Sequence, residues 1–322
     1  MKTILSLDDV AHFHETGFVC IPQITTAEEV DWIRDACDRL FERRAGWETG
    51  DLFDFAGTDA PGMALKAPQL SHPSKYEPAL IRTNFYNNAL VMARQLLGPS
   101  AQFDFDHAML KPARVGALTP WHQDEAFYPF KGGSNVLTFW MPLQDVDARN
   151  GCLNFIPGSN RGPLLQHRRI NNDPRIHGLE ALGVNERLMI SCPLQAGGAT
   201  VHGYHTLHHS NPNVSDESRR AYAVLIGTPS PLFRSTEGFS WNEKMATQRL
   251  ERAMKAQGML RRFARRGQRR WQKQSFNHPS LAFTETREPP IYRLKAEMRL
   301  TRSRPAPPRP ALSTRHPALC TA

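Results

Sequence analysis

Cysteine is scarce and unpatterned in this chain of 322 residues: five thiols, at positions 20, 37, 152, 192 and 320, with no CxxC pair among them. An odd, scattered set argues against a disulfide framework or a zinc knuckle, and it suits a reducing cytosol, the compartment expected here. No run of about eighteen apolar residues occurs, so no membrane span is expected. The opening MKTILSLDDVAHFH has no basic stretch leading into an apolar one, and no signal peptide is expected. Internal repeats are missing as well. Acidic residues run short in one place only. From Pro231 onward there are 20 Lys and Arg against 6 Asp and Glu, a balance of +14, whereas the first 230 residues hold the remaining 20 and 25, a balance of −5. The overall net charge of +9 therefore belongs to the C-terminal third and not to residues 1–230, the expected body of the molecule's chemistry.

Within that body the patterns are ordinary for a folded domain. Ser6 with Asp9 and Thr26 with Glu29 have the spacing of capping boxes, each opening a helix. After Thr26 the apolar positions Val30, Ile33, Cys37 and Leu40 recur at helical steps. GFVCIP between the two helices reads as a strand, and NNALVMARQLLGPS (87–100) as a further helix closed by Gly98 and Pro99. From about 101 to 230 short apolar or alternating runs are separated by Gly, Pro and Asn turns, the texture of an antiparallel sandwich or barrel. After 231 the pattern turns helical and basic, with glycines at 258 and 267. The last 22 residues, with five prolines, hold no plausible core and are expected to be disordered. The organisation expected is residues 1–230 as one domain, 231–300 as a basic helical extension packed on it, and 301–322 as a Pro-rich tail.

WHQDEAFYPF (121–130) puts His122 and Asp124 two residues apart, on one face if the segment is an extended strand. Among thirteen histidines such a pair is weak evidence alone. A second segment, GGATVHGYHTLHHSNPNVSDESRRAYAVLIGT (197–228), changes its weight. On a strand, His202, Tyr204, Thr206 and His208 share a face, and two arginines open the next strand. Two histidines and one carboxylate form the facial ligand set of non-haem iron(II) oxygenases, which leaves coordination positions open. An arginine beyond the last histidine supplies a planar fork for a carboxylate. Strand parity alone leaves Arg219 and Arg220 both open for that role.

WHQD, FWMPLQDVDARNGCLNFIPGSNRGPLLQH and LHHSNPN…SRRAY together resemble the phytanoyl-CoA dioxygenase family of iron(II)/2-oxoglutarate-dependent oxygenases, over roughly residues 5–228. The resemblance implies a mainly β (α+β) fold, a cupin-like double-stranded β-helix or jelly roll, with N-terminal helices and the basic helical extension. It implies His122, Asp124 and His208 as iron ligands, Arg219 on the distal carboxylate of 2-oxoglutarate, and Ser210 and Trp140 beside that cosubstrate. Arg220 then falls to an outward surface position. The implied reaction is oxidative decarboxylation of 2-oxoglutarate with dioxygen, coupled to oxidation of a small-molecule substrate. Related halogenases carry a small residue in place of the carboxylate ligand, so Asp124 favours hydroxylation or desaturation. Asn160 departs from the family's PGSH turn and points to substrate preference, and His107 stands where an apolar side chain is usual. Two readings from other classes compete: a non-oxygenase, metal-binding cupin-like protein, and a nucleic-acid-associated protein using the basic region, which has few stacking aromatics.

Overall fold

A computed structural model describes residues 1–115, 117–127, 135–228, 239–243 and 245–258. The chain begins with helix α1 (Leu7–Thr16), strand β1 (Phe18–Ile21), helix α2 (Ala27–Glu42), strands β2 (Leu52–Asp54) and β3 (Pro68–Ser71), and helix α3 (Asn84–Leu97). Ten strands follow: β4 (Gln102–Lys111), β5 (Thr119–His122), β6 (Val136–Pro142), β7 (Leu153–Phe155), β8 (His167–Arg169), β9 (Leu179–Ala181), β10 (Ile190–Cys192), β11 (Ala199–Gly203), β12 (His208–Ser210) and β13 (Arg219–Gly227). A short helix α4 (Ser240–Glu243) and a helical stretch over 248–258 complete the described residues.

The local signals act largely as expected. Ser6 and Asp9 form the reciprocal capping box at α1. Thr26 caps α2 by accepting from the Glu29 N–H, but the Glu29 carboxylate leaves that helix and accepts instead from the N–H groups of Asn84 and Phe85, at 2.7 and 2.9 Å. One acidic side chain thus caps the start of α3, where exposed N–H groups attract an anion. That helix starts at Asn84, three residues ahead of the expected 87. The stripe Val30, Ile33, Cys37 and Leu40 is buried.

Seven strands pair in the order β1-β11-β6-β13-β4-β3-β2 and four in the order β10-β7-β12-β5; β8 and β9 form a separate ribbon. Helices α1 to α3 cover the outer face of the large sheet, packing against Leu137, Phe139, Met141, Tyr222, Val224 and Ile226. Between the sheets lie Phe18, Phe105, Trp140, Leu153, Phe155, Ala223 and Leu225. Alternation along β6 and β13 decides which side chain goes where. Two antiparallel sheets packed around a cavity make a jelly roll.

Two local expectations fail. His202 and His208 do not share a strand. β11 ends at Gly203, the chain turns through Tyr204–Thr206, and β12 starts in the other sheet. Likewise β5 stops at His122, and Asp124 opens a short 3-10 turn, Asp124–Phe127. Leu232, Phe233, Leu281 and Phe283 of the extension, the glycine at 267 and the tail 301–322 lie outside the described residues.

Candidate metal and cosubstrate site

His122 and His208 are direct cross-strand partners in the β5–β12 ladder, and their rings are 4.2 Å apart. Each ring is oriented from behind. His122 Nδ1 donates to the Pro120 carbonyl at 2.8 Å, and His208 Nδ1 to the Thr206 carbonyl at 2.9 Å. With the proton on Nδ1, Nε2 of each ring keeps its lone pair, the tautomer a metal ligand needs. Asp124 Oδ1 lies 3.6 Å from one Nε2 and 3.7 Å from the other, while its Oδ2 accepts from the Thr138 hydroxyl at 3.0 Å. One oxygen is held by β6 and the other faces both imidazoles. One ligand atom from each of the three residues lies within 4.8 Å of the others, close enough to hold a single metal ion.

The charge states suit that use. Burial opposes ionisation of Asp124, but His208, His122 and His202 around it hold its carboxyl well below the usual range. Burial and the neighbouring rings of His122 and His202 push His208 well down, so it stays neutral. Donor type, tautomer and protonation therefore fit iron(II) bound by two imidazoles and one carboxylate, with positions left open toward the cavity. His202 completes the surroundings. It is 1% exposed, neither ring nitrogen makes a hydrogen bond, and its Nε2 is 3.7 Å from Asp124 Oδ2.

These groups open onto a cavity of about 430 Å³ between the sheets. At one end Arg219 is 3% exposed, its Nε without a hydrogen bond, its guanidinium carbon 5.5 Å from the centre of the Trp140 ring. Burial lowers it to about 10, which still leaves it charged at neutral pH. Ser210 and Trp140 line the same end. Sequence reasoning missed Lys111, which pairs with Arg219 across β4 and β13 and donates to the Ser210 and Asn211 carbonyls at 3.0 and 2.7 Å. Burial, then Arg219, push its ammonium well down. Gly151 makes room for this corner: at φ +91° a side chain there would meet the Asn211 carbonyl at 2.7 Å. Arg219, buried with no carboxylate partner among the described residues, presents a planar fork that can receive a carboxylate.

Other candidates go elsewhere. Arg220 faces α2 and donates to Asp38 at 2.6 Å. His209 turns away from His208 and packs on Trp121, ring centres 4.1 Å apart, while Trp121 sits in a small cluster with Ile156 and Leu207. Asn160, expected to bear on substrate preference, instead sits against the α1–β1 turn. It packs at Gly17 and its amide reaches the His14 carbonyl, because the 3-10 turn that carries it lies outside the cavity wall. His107 lines the cavity, as do Arg169, His177, Asn242, Met245 and Arg249, none of which has a readable motif.

The family model for phytanoyl-CoA dioxygenase matches residues 13–221. A Stutzerimonas stutzeri protein described as a probable alpha-ketoglutarate-dependent hypophosphite dioxygenase is 33% identical over 220 residues, covering 66% of this chain and 74% of that one. The peroxisomal phytanoyl-CoA dioxygenase of Rattus norvegicus is 23% identical over 280 residues, 80% of this chain and 78% of the relative. The crystal structure of EvdO2 from Micromonospora carbonacea var. aurantiaca aligns with a TM-score of 0.63 at 37% identity, over 74% of this chain and 96% of that one; its complex with 2-oxoglutarate aligns at 0.61 and 33%. A match running from within α1 to within β13, and so across both histidines and the carboxylate, means that the chain belongs to the phytanoyl-CoA dioxygenase family.

Proposed function

We propose that the protein is an iron(II)- and 2-oxoglutarate-dependent dioxygenase that hydroxylates a small organic substrate, with His122, Asp124 and His208 holding the metal. The observation that carries this reading is Asp124 Oδ1 facing both free Nε2 atoms while a buried, carboxylate-free Arg219 closes the same cavity. When bound, iron(II) supplies the redox chemistry that couples decarboxylation of 2-oxoglutarate by dioxygen to oxidation of a C–H bond. The protein's own contribution is placement. The Pro120 and Thr206 carbonyls fix the imidazoles, and the Thr138 hydroxyl fixes Asp124. Arg219 takes the far carboxylate of the cosubstrate, with Trp140 and Ser210 as its walls and Lys111 supporting from β4. Phe53, Phe55 and Phe127 line another part of the cavity and keep water from a reactive centre.

The test is stoichiometry. Iron(II), 2-oxoglutarate and dioxygen should give succinate and carbon dioxide in equal amounts, and a chelator should stop the turnover. Metal binding with no succinate would favour a non-oxygenase cupin-like protein instead. A nucleic-acid partner is not proposed: Arg249 and Arg252, which belong to the basic region, donate inward to the domain. The division into residues 1–230, an extension over 231–300 and a tail over 301–322 remains our proposal. It is supported by the docking of residues 239–243 and 245–258 on the core, where Trp241 Nε1 donates to the Ala126 carbonyl at 3.0 Å. A cytoplasmic location is proposed on the free thiols of Cys20, Cys37, Cys152 and Cys192. No helix among the described residues is long and apolar enough to cross a membrane.

A further inference from the structure

The cavity has a second cationic end. Arg169, on β8, is 6% exposed and lines it. Its Nη1 donates to the His177 carbonyl at 2.5 Å, and its Nη2 to Asn242 Oδ1 at 2.7 Å and to the sulfur of Met245 at 3.2 Å. Its Nε has no hydrogen bond. Every partner is neutral, and one is a thioether, a weak acceptor. Burial lowers Arg169 only to about 10, so it remains a cation at neutral pH. Arg249 adds a second guanidinium at the same end, donating to His177 Nε2 at 2.9 Å and to Ser71 at 3.2 Å, 3.8 Å above the Phe53 ring. His177 between them is pushed well down by burial and then by Arg249 and Arg169, so it adds a polar neutral ring.

Arg252 provides the control. It too is drawn into the domain from the helical stretch 248–258, and it meets a carboxylate, Asp59, at 2.7 Å. A guanidinium whose task is to clip the segment down is given an acid there; Arg169, more deeply buried, is not. Leaving such a charge uncompensated costs several kcal/mol by the general rule, and that cost persists only where something else offsets it. The cosubstrate does not. Arg169 and Arg219 line the cavity, and Asp124 is the single carboxylate lining it among the described residues. Iron(II) and a 2-oxoglutarate dianion cancel each other, so the surplus of positive charge is still there when both are bound.

We infer that the substrate carries an oxyanion, a carboxylate or a phosphate, which docks on the Nε edge of Arg169 with Arg249 beside it, and that its body lies along the apolar wall of Phe53, Phe55 and Phe127. This deepens the dioxygenase reading and rests on it. The substrate is held by its charged end, and the apolar remainder is laid toward His122 and Asp124, as remote binding used to orient a reacting bond requires. A bidentate fork on that edge would replace the thioether contact with a charge-assisted pair.

The experiment uses the full chain, anaerobic, with iron(II) and saturating 2-oxoglutarate, titrated calorimetrically with inorganic phosphate and separately with acetate. One probe should bind at one site per chain, and which of the two binds tells phosphate from carboxylate. Arg169→Gln should weaken that binding at least tenfold, and Arg169→Lys, which keeps the charge but loses the fork, by a smaller factor. The visible charge-transfer band of the iron–cosubstrate complex is recorded in every sample. Its absence in the wild type would defeat the dioxygenase reading, and the titration repeated on Arg219→Ala, which lacks the cosubstrate cation, would still judge Arg169. Binding of neither probe, or equal binding in wild type, Arg169→Gln and Arg169→Lys, overturns the inference and leaves Arg169 as a clip for Asn242 and Met245.

Discussion

His208 stands directly opposite His122 in an antiparallel ladder, and the backbone sets the distance between the two rings, which is 4.2 Å. The Pro120 and Thr206 carbonyls accept from Nδ1 of each ring and fix its orientation. Main-chain groups thus hold both rings, and removing iron should not unfold the domain. Chelated protein is expected to keep its circular dichroism spectrum and to recover full iron occupancy on readdition. Alanine at His122, Asp124 or His208 should each abolish most iron binding, measured by elemental analysis, whereas His209→Ala should retain it, since that ring faces Trp121. Retention of iron by His208→Ala with loss in His209→Ala would sink the assignment.

Arg219 and Arg220 are neighbours that face opposite ways, Arg219 into the cavity and Arg220 to Asp38. Arg219→Ala should leave iron bound and raise the dissociation constant for 2-oxoglutarate about a hundredfold, or about 3 kcal/mol, the scale for stripping one partner from a buried charge pair. Arg220 pairs with the partly exposed Asp38, so Arg220→Ala should change cosubstrate affinity less than about twofold and stability by at most about 1 kcal/mol. Equal effects on affinity would mean that the wrong arginine has been chosen.

That pair also shows where the sequence could be read and where it could not. His122, Asp124 and His208, which the fold brings together, stood out as candidates because a metal site needs particular atoms, and only a few residue types provide them. Choosing between Arg219 and Arg220 by parity failed on two residues alone, yet β13 carries its own answer. Ala221, Ala223 and Leu225 lie between the sheets on the side of Arg219, while Tyr222, Val224 and Ile226 pack on the helices with Arg220. The shared strand drawn through His202 and His208 failed because Gly203 ends one strand and the chain changes sheets, a tertiary event with no local signature. Lys111 and Arg169 were missed for a related reason: what marks them is burial without an acidic partner, and burial is not written in the residue type. β2 and β3 are too short for an alternating pattern to register.

His107 predicts a pH dependence. Burial, and then the charge of Arg249, push its imidazole down to about 3. Folded protein therefore keeps it neutral where an unfolded chain, with an ordinary pKa of about 6.5, takes up a proton. The unfolded state binds more protons between those values, so this group lowers stability as pH falls from about 6.5 toward 3 and contributes nothing above. His107→Met should flatten that part of the slope. Denaturation midpoints at pH 7.5 and pH 5 should differ less in the variant than in the wild type; an unchanged difference would show that His107 does not hold this linkage.

The last prediction concerns the segment beyond the sheets. Arg252 donates to the Trp47 and Leu52 carbonyls at 2.8 and 3.0 Å and to Asp59 at 2.7 Å, and its guanidinium lies 3.7 Å above the Trp47 ring. Asp59 in turn accepts from the Asp54 N–H at 2.6 Å, and the Asp54 carboxylate takes the N–H groups of Ala56, Lys66 and Ala67. The loop that presents Phe53 and Phe55 to the cavity is thus tied through Asp59 to a helix outside the jelly roll. Both side chains of the ion pair are largely buried, at 14% and 4% exposure, so Arg252→Ala strands a carboxylate and should cost about 3 kcal/mol in chemical denaturation. Truncation after Pro231 removes Arg252 together with Trp241, Asn242, Met245 and Arg249, which also line or brace the cavity, and should give insoluble protein. Truncation after Leu300 spares all of them and should leave stability and turnover as they are. A soluble, fully active chain ending at 231 would instead make the extension a detachable tail, and the basic run would then need a partner to explain it.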